Sequence, residues 1–404
     1  MSSITDPDKG GFRVSQLLSD TRYRAITFQV IAAVALFAVF FYLGRNLINN
    51  LNDAGLNISF GFLEDTAGYD VGQTLIPYTS QSSNWQAAKV GILNTLLVAL
   101  LGCFTATIFG VLAGVLRLSN NWIVSRLMAA YVEAFRNVPV LIWILIIYAI
   151  MTVSLPAPNA FRGDDPASTM LLGMFAFTNR GIYVPAPVWG PGSMLLLFTF
   201  IASVVGVFAY RGYAKKLLFD TGKLLPMGWP SLAILLVPTI LMFFILGRPV
   251  GLDIPVLKGF NFGGGIKIGA PLIALWFALS IYTGAFIAEN VRAGIQAVSH
   301  GQTEAAAALG LRPRRIMNLV VLPQALRVII PPLISQYLNL TKNSSLAIAV
   351  GYADVTATLG GITLNQTGRA IECVLLLMLF YLAISLAISA IMNVYNNSVK
   401  LKER

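Results

Sequence analysis

Eight long, mostly apolar runs recur along this 404-residue chain: 25–44, 91–116, 131–154, 193–210, 230–246, 268–297, 325–350 and 371–395. A helix needs about 20 apolar residues to cross roughly 30 Å of hydrocarbon, and inside hydrocarbon the backbone must satisfy its own hydrogen bonds. The runs therefore predict eight transmembrane helices and an all-α polytopic membrane protein. The fifth run is short and contains Pro238. Only 11% of residues are charged and 56% are hydrophobic, whereas a soluble domain carries about 25% charge. The first run follows 24 polar and charged residues and has no small-residue cleavage site after it, so a retained anchor is expected rather than a removable signal peptide.

The net charge of +11, from 28 Lys and Arg against 17 Asp and Glu, could point to nucleic acid. Its distribution points instead to a membrane orientation. With the N-terminus inside, inner segments hold 16 basic residues, including Lys9, Arg13, Arg117, Lys215, Lys216, Arg312, Arg314, Arg315, Lys400, Lys402 and Arg404. Outer segments hold eight (Arg45, Lys89, Arg162, Arg180, Arg248, Lys258, Lys267 and Arg369) over longer loops. This is the positive-inside pattern, and it places both termini in the cytoplasm. No nucleic-acid partner is expected.

Cys103 and Cys373 both fall in apolar runs and read as small buried hydrophobes, and His300 is the single histidine, so neither a disulfide nor a metal site is expected. Gly263-Gly264-Gly265 lacks the Lys-Ser/Thr of a phosphate loop and reads as a flexible turn. No cofactor is expected on this chain, and no nucleophile–base set suggests an enzyme. The outer segments 45–90 and 155–192 are rich in Gly, Pro, Asn and Ser and read as loops, with Tyr183 and Trp189 suited to the headgroup level.

The basic, mostly polar interruption between the sixth and seventh runs is the most informative. Gln302 to Leu309 is a strong helix former with Glu304 in its first turn, Gly310 suits a left-handed stop, and Pro313 can open a second helix. A helix-turn-helix at the membrane surface is expected, with Ala305 and Ala306 small enough for a partner to approach closely.

Glu304-Ala305-Ala306, then Gly310, Val320 and Leu322-Pro323, resembles the EAA loop of ABC importer permeases, with Val where Ile is commoner. Gly301-Gln302 and Pro323-Gln324-Ala325 flank it as in that family. Arg136-Asn137-Val138-Pro139 resembles an Arg-Gly-Thr-Pro signature of the polar amino acid permeases, with Asn for Gly and Val for Thr. Tyr282-x-x-Ala285-x-x-x-Glu289-x-x-Arg292-x-Gly294-Ile295 and Lys342-Asn343-Ser344-Ser345-Leu346 resemble the segments around the loop. Extra length with Phe60-Gly61-Phe62-Leu63, Leu75-Ile76-Pro77-Tyr78 and Asn179-Arg180-Gly181 is similar to the Q-type permeases of general L-amino acid importers.

The resemblance implies a five-helix type I core in 91–154 and 266–404, with the coupling loop at 301–325. To this are added an N-terminal region, 1–90, with its own helix, and an insert, 155–265, with two further helices. It implies that Gly301, Gln302, Glu304, Ala305, Ala306, Gly310, Leu322 and Pro323 dock on an ATPase dimer that holds ATP and Mg. It also implies a second, related permease as heterodimer partner, a periplasmic amino acid-binding protein, and a place in a bacterial inner membrane.

Polar residues inside the runs are candidates for the substrate path or gate, because charge in a bilayer is costly. Glu289 and Arg292 share a helix face, as do Glu133 and Arg136; each pair reads either as a gate or as an ion pair that positions the loop. Asn339, Thr341, Lys342 and Ser345 supply donors and acceptors suited to a zwitterion, with hydrogen bonding between helices as the plainer reading. Tyr282, Asn94 and Thr95 complete the set. An ion-coupled secondary carrier is the alternative, but it would need central carboxylates and a repeat of the two halves. The 193–246 hairpin reads as a lipid-facing packing element.

Overall fold

The computed structural model describes residues 21–399 except Ala54, Leu56, Asp164 and Asp165. Lys9, Arg13, Lys400, Lys402 and Arg404, which count toward the expected orientation, lie outside the described residues. The chain forms two compact units, Met1–Gly61 and Phe62–Arg404. The first contains α1 (Thr21–Asp53), a 33-residue helix whose large apolar side chains are exposed from Ile26 to Ile48. A helix apolar on all sides belongs in lipid.

In the second unit, α2 (Asn84–Arg117) is capped by the Ser83 hydroxyl, which accepts from the Gln86 amide. The third run is not one helix. It divides into α3 (Trp122–Asn137) and α4 (Val140–Ser154), bent by 106° at Val138-Pro139. A proline forces the preceding residue out of the helical region, and Val138 is extended at φ −112°, ψ 134°. The strongly amphipathic α3 is therefore a separate element, and the stacked rings of Phe135 and Trp143, 4.2 Å apart, span the bend.

The expected hairpin forms from α5 (Ser193–Thr221) and α6 (Gly228–Ile245). The outer segments contain strands where loops were expected: β1 (Ala176–Thr178), β2 (Gly181–Val184), β3 (Ala186–Trp189), β4 (Val250–Asp253), β5 (Val256–Lys258), β6 (Asn261–Gly263) and β7 (Ile266–Gly269). They pair antiparallel as a β1-β2-β7 sheet and two ladders, β3-β4 and β5-β6. Strands of three or four residues are too short to show alternation in sequence; β1-β2 and β5-β6 are local hairpins, but β2 pairs with β7 and β3 with β4 across the whole α5–α6 hairpin. Gly263 closes β6, while Gly264 and Gly265 make the left-handed link to β7 at φ +77° and +62°. Tyr183, expected at the headgroups, is instead 1% exposed against Phe262, with its hydroxyl donating to Asn261.

At the centre is α7 (Ala270–Gln296), with Leu275, Ala278, Leu279, Ala285 and Ala288 fully buried. It packs along α2 through small residues: Gly110, Gly114 and Gly284 sit where the two backbones come close. Without a hydrophobic driving force between helices in lipid, such close approach is what holds a bundle together. After α7 come α8 (His300–Ala308), α9 (Pro313–Ile316), a π turn (Met317–Val321) and α10 (Leu322–Asn343). A 3-10 turn (Ser344–Val350), a π-helical segment (Thr356–Thr363), α11 (Leu364–Thr367) and α12 (Ala370–Val399) complete the unit. Cys103 and Cys373 are free thiols.

Candidate functional site

The helix α8 stands between two spans and is closed by a capping motif that the sequence dictates. Gly310 is left-handed at φ +74°, its amide donating to Ala307 O (2.9 Å) and the Leu311 amide to Ala306 O (3.3 Å). These crossed bonds satisfy the last carbonyls of the helix, and Leu311 packs near Ala306 as such caps require. Gln302, Glu304, Ala305 and Leu309 are exposed, while Ala306 is buried against Ile316 and Val321. The expected pair of small contact residues is thus divided. Ala305 faces outward, and Ala306 points inward because one residue turns a helix by about 100°. Leu309, 82% exposed, is an outward apolar residue that the helix-forming pattern gave no reason to single out.

Gly301 is exposed in the first turn, with open space where a Cβ would stand. The second surface helix is not separate, because α9 runs through the π turn into α10. Leu322 and Pro323 lie at that junction, in the first turn of α10. A proline lacks an amide donor and crowds the carbonyl four residues back, and a wide π turn just before it is where such crowding is relieved.

Close to this loop, one carboxylate gathers three guanidinium groups. Glu289 pairs with Arg292 one turn along α7, with Arg117 at the end of α2, and with Arg136 of α3 at 4.0 Å. The pairing expected within α3 does not form: Glu133 reaches Arg117 at 3.8 Å and accepts from the Asn137 amide at 3.2 Å. Arg136 instead lies over the Phe286 ring, 5.2 Å from its centre. Arg117, placed by sequence only among the inner charges, is a central member, and its place at the end of a span is the one signal it gave. The cluster ties the ends of α2 and α3 to α7. Tyr282 packs beside Phe286 one turn before it.

The polar break in α10 faces two ways. Ser335, Asn339 and Lys342 are exposed along one stripe at helical spacing. Thr341 is buried and donates to Tyr337 O, and Ser345 donates to Lys342 O. Asn94 and Thr95 are fully buried: the Asn94 amide donates to Gln73 O and Ala353 O, and Thr95 accepts from the Val355 amide. They hold the segment that folds back after Val350, and neither shares a hydrogen bond with the exposed stripe of α10. The same segment carries Asp354, which lies outside the apolar runs and the motifs. It is fully buried, and its Oδ1 caps the Ala357 amide at 2.8 Å. Burial pushes its carboxyl up to about 6. Among the described residues no three His, Cys, Asp or Glu side chains group as metal ligands.

Helices long and apolar enough to cross a membrane, packed around a small-residue seam with one capped, exposed helix between two of them, define an integral membrane protein. Residues 199–401 match the family described as binding-protein-dependent transport system inner membrane component. The chain is 49% identical, over the full length of both, to the glutamate/glutamine/aspartate/asparagine transport system permease protein BztB of Rhodobacter capsulatus. It is 42% identical to the general L-amino acid transport system permease protein AapQ of Rhizobium johnstonii, covering 98% of this chain and 96% of that one. With the putative amino-acid ABC transporter permease protein YhdX of Escherichia coli it shares 41% identity over 94% and 95% of the two chains. The chain belongs to this family of transport-system permeases.

Proposed function

We propose that this chain is a permease subunit that carries L-amino acids inward across a bacterial inner membrane, coupled through α8 to a separate ATPase dimer that holds ATP and Mg. The observation that carries the coupling is the division of α8 into an outward face of Gln302, Glu304, Ala305 and Leu309 and an inward anchor at Ala306. A partner that grips the outer face moves the inner one. Ala306 rests on Ile316 and Val321, at the root of α10, with Ile295 and Val298 of the α7 end beside them. The Glu289 cluster then passes displacement of α7 to α2 and α3. Packed helices shift as rigid bodies between discrete arrangements, which suits alternating access.

Both termini lie in the cytoplasm in this reading, on the same side as α8. A periplasmic binding protein delivers substrate to the outer face, and a second, related permease completes the path. The exposed stripe of Ser335, Asn339 and Lys342 suits that shared boundary: Lys342 is a cation for a substrate carboxylate, and Asn339 offers a carbonyl to its ammonium. The relatives' names support amino acids as the substrate class, and the family membership leaves an ion-coupled carrier without support.

The test is Gly310→Asp in the assembled transporter. A Cβ there meets nothing within 4 Å, so the substitution strains only the left-handed backbone, by about 1–2 kcal/mol, and leaves the spans intact. Uptake and substrate-stimulated ATP hydrolysis should fall at least about tenfold while the chain stays inserted. Wild-type uptake by a normally inserted variant would remove α8 from the coupling path.

A further inference from the structure

The α5–α6 hairpin, which the transport reading leaves unused, is asymmetric. At 29 and 18 residues, its helices measure about 43 and 27 Å at 1.5 Å per residue, against roughly 30 Å of hydrocarbon. The β3-β4 ladder, Trp189 opposite Val250, staples the start of α5 to the end of α6. The excess length therefore projects at the other end, as the last turns of α5 and the 222–227 turn. Counting spans, this end shares a side with α8.

The overhang is folded, not loose. The Tyr210 hydroxyl donates to Pro226 O at 2.7 Å, the Arg211 Nε to the buried Ser231 hydroxyl at 3.4 Å, and Ala214 is 1% exposed. It presents Arg211, Lys215, Lys216 and Lys223, all exposed, with Asp220 as the single acid in 211–227. No ion pair forms at any of these four among the described residues, whereas Arg117, Arg136 and Arg292 all meet Glu289. Arg211 and Lys215 are also four apart on one face, an unfavourable spacing for like charges in water. Around them Tyr213, Phe219, Leu224 and Trp229 are 60–83% exposed. Unpaired cations ringed by aromatic and apolar side chains at the end of a span match the layer where lipid phosphates meet acyl chains.

We propose that this turn is a binding site for anionic phospholipid headgroups on the face that carries α8. The guanidinium held by Ser231 and the three ammonium groups take the phosphate charge, and Phe219 and Trp229 seat in the adjoining interface. Anionic lipid would thereby fix the depth of the hairpin.

The probe is phosphatidylglycerol against phosphatidylcholine in mixed micelles, with lipids retained by the purified transporter counted by native mass spectrometry. The wild type should retain phosphatidylglycerol preferentially, and less so at high salt. R211Q/K215Q/K216Q/K223Q should cut that retention on the order of tenfold or more, while K258Q/K267Q on the outer loops leaves it unchanged. A thiol placed at Thr221 reports whether the turn keeps its side. Equal retention of both lipids by the wild type overturns the proposal without recourse to any variant. So does a quadruple variant, correctly oriented, that keeps its lipid but loses the ATPase, which would make the turn a protein contact.

Discussion

Asp354 shows how one residue can couple the fold to pH. Its Oδ1 accepts from the Ala357 amide, but Oδ2 is buried with no hydrogen-bond partner among the described residues. Burial disfavours the charged form and pushes the carboxyl up to about 6, against about 3.9 for a free aspartate. Between those values the folded chain binds more protons than the unfolded one, so stability falls as pH rises from about 4 to 6. The loss across that window should be on the order of 3 kcal/mol. Asp354→Asn, which keeps the cap and cannot ionise, should flatten that window in thermal unfolding of the purified protein. An unchanged pH profile in the variant would assign the dependence to another group. Nothing local marks Asp354 out, because the residues on either side of it are held by Asn94 and Thr95 of α2, more than 250 positions away.

Helices in lipid are held by fit, and the α2–α7 seam shows how tight that fit is. A Cβ on Gly110 would stand 2.5 Å from Ile287, and one on Gly114 would stand 2.7 Å from Ala288 O. Gly110→Ala must push α7 aside or shift Ile287, at about 1–3 kcal/mol. It should lower the unfolding temperature of the purified chain measurably, and Gly110→Leu should prevent accumulation in the membrane. If both variants unfold like the wild type, the seam is not where these helices are held. Composition makes small residues in apolar runs conspicuous, but which of the 35 glycines meet a neighbour depends on helix rotation, which periodicity in an all-apolar run does not set. The α3–α4 elbow is half local: Pro139 inside the run bars a continuous helix, while the 106° angle goes with the packing of α3 against α7 and α2.

On the scale of the whole molecule, the insert is an appendage with its own closure. Its helices pack on each other, and the β3-β4 ladder already brings Trp189 and Val250 together. Replacing 191–248 with a two-residue Asn-Gly turn, which favours antiparallel strands, removes an even number of spans. The shortened chain should insert with the same orientation of α7 and α8 and, in the proposed assembly, should still co-purify with a second permease and an ATPase. Failure to insert would make the hairpin part of the core.

The sequence by itself determined seven of the eight apolar helices, the extra hairpin among them, with the stop at Gly310 and the family, because each depends on local chemistry. Twenty apolar residues suffice to specify a crossing, and a left-handed position selects glycine whatever surrounds it. Tertiary structure alone decided that Ala305 and Ala306 part company, that Arg117 joins Glu289, that Tyr183 is buried, and that a short ladder joins the start of α5 to the end of α6. Those outcomes depend on which face of a helix meets which neighbour and on partners tens to hundreds of residues apart. A distance of that kind is set by packing, and no stretch of sequence contains it.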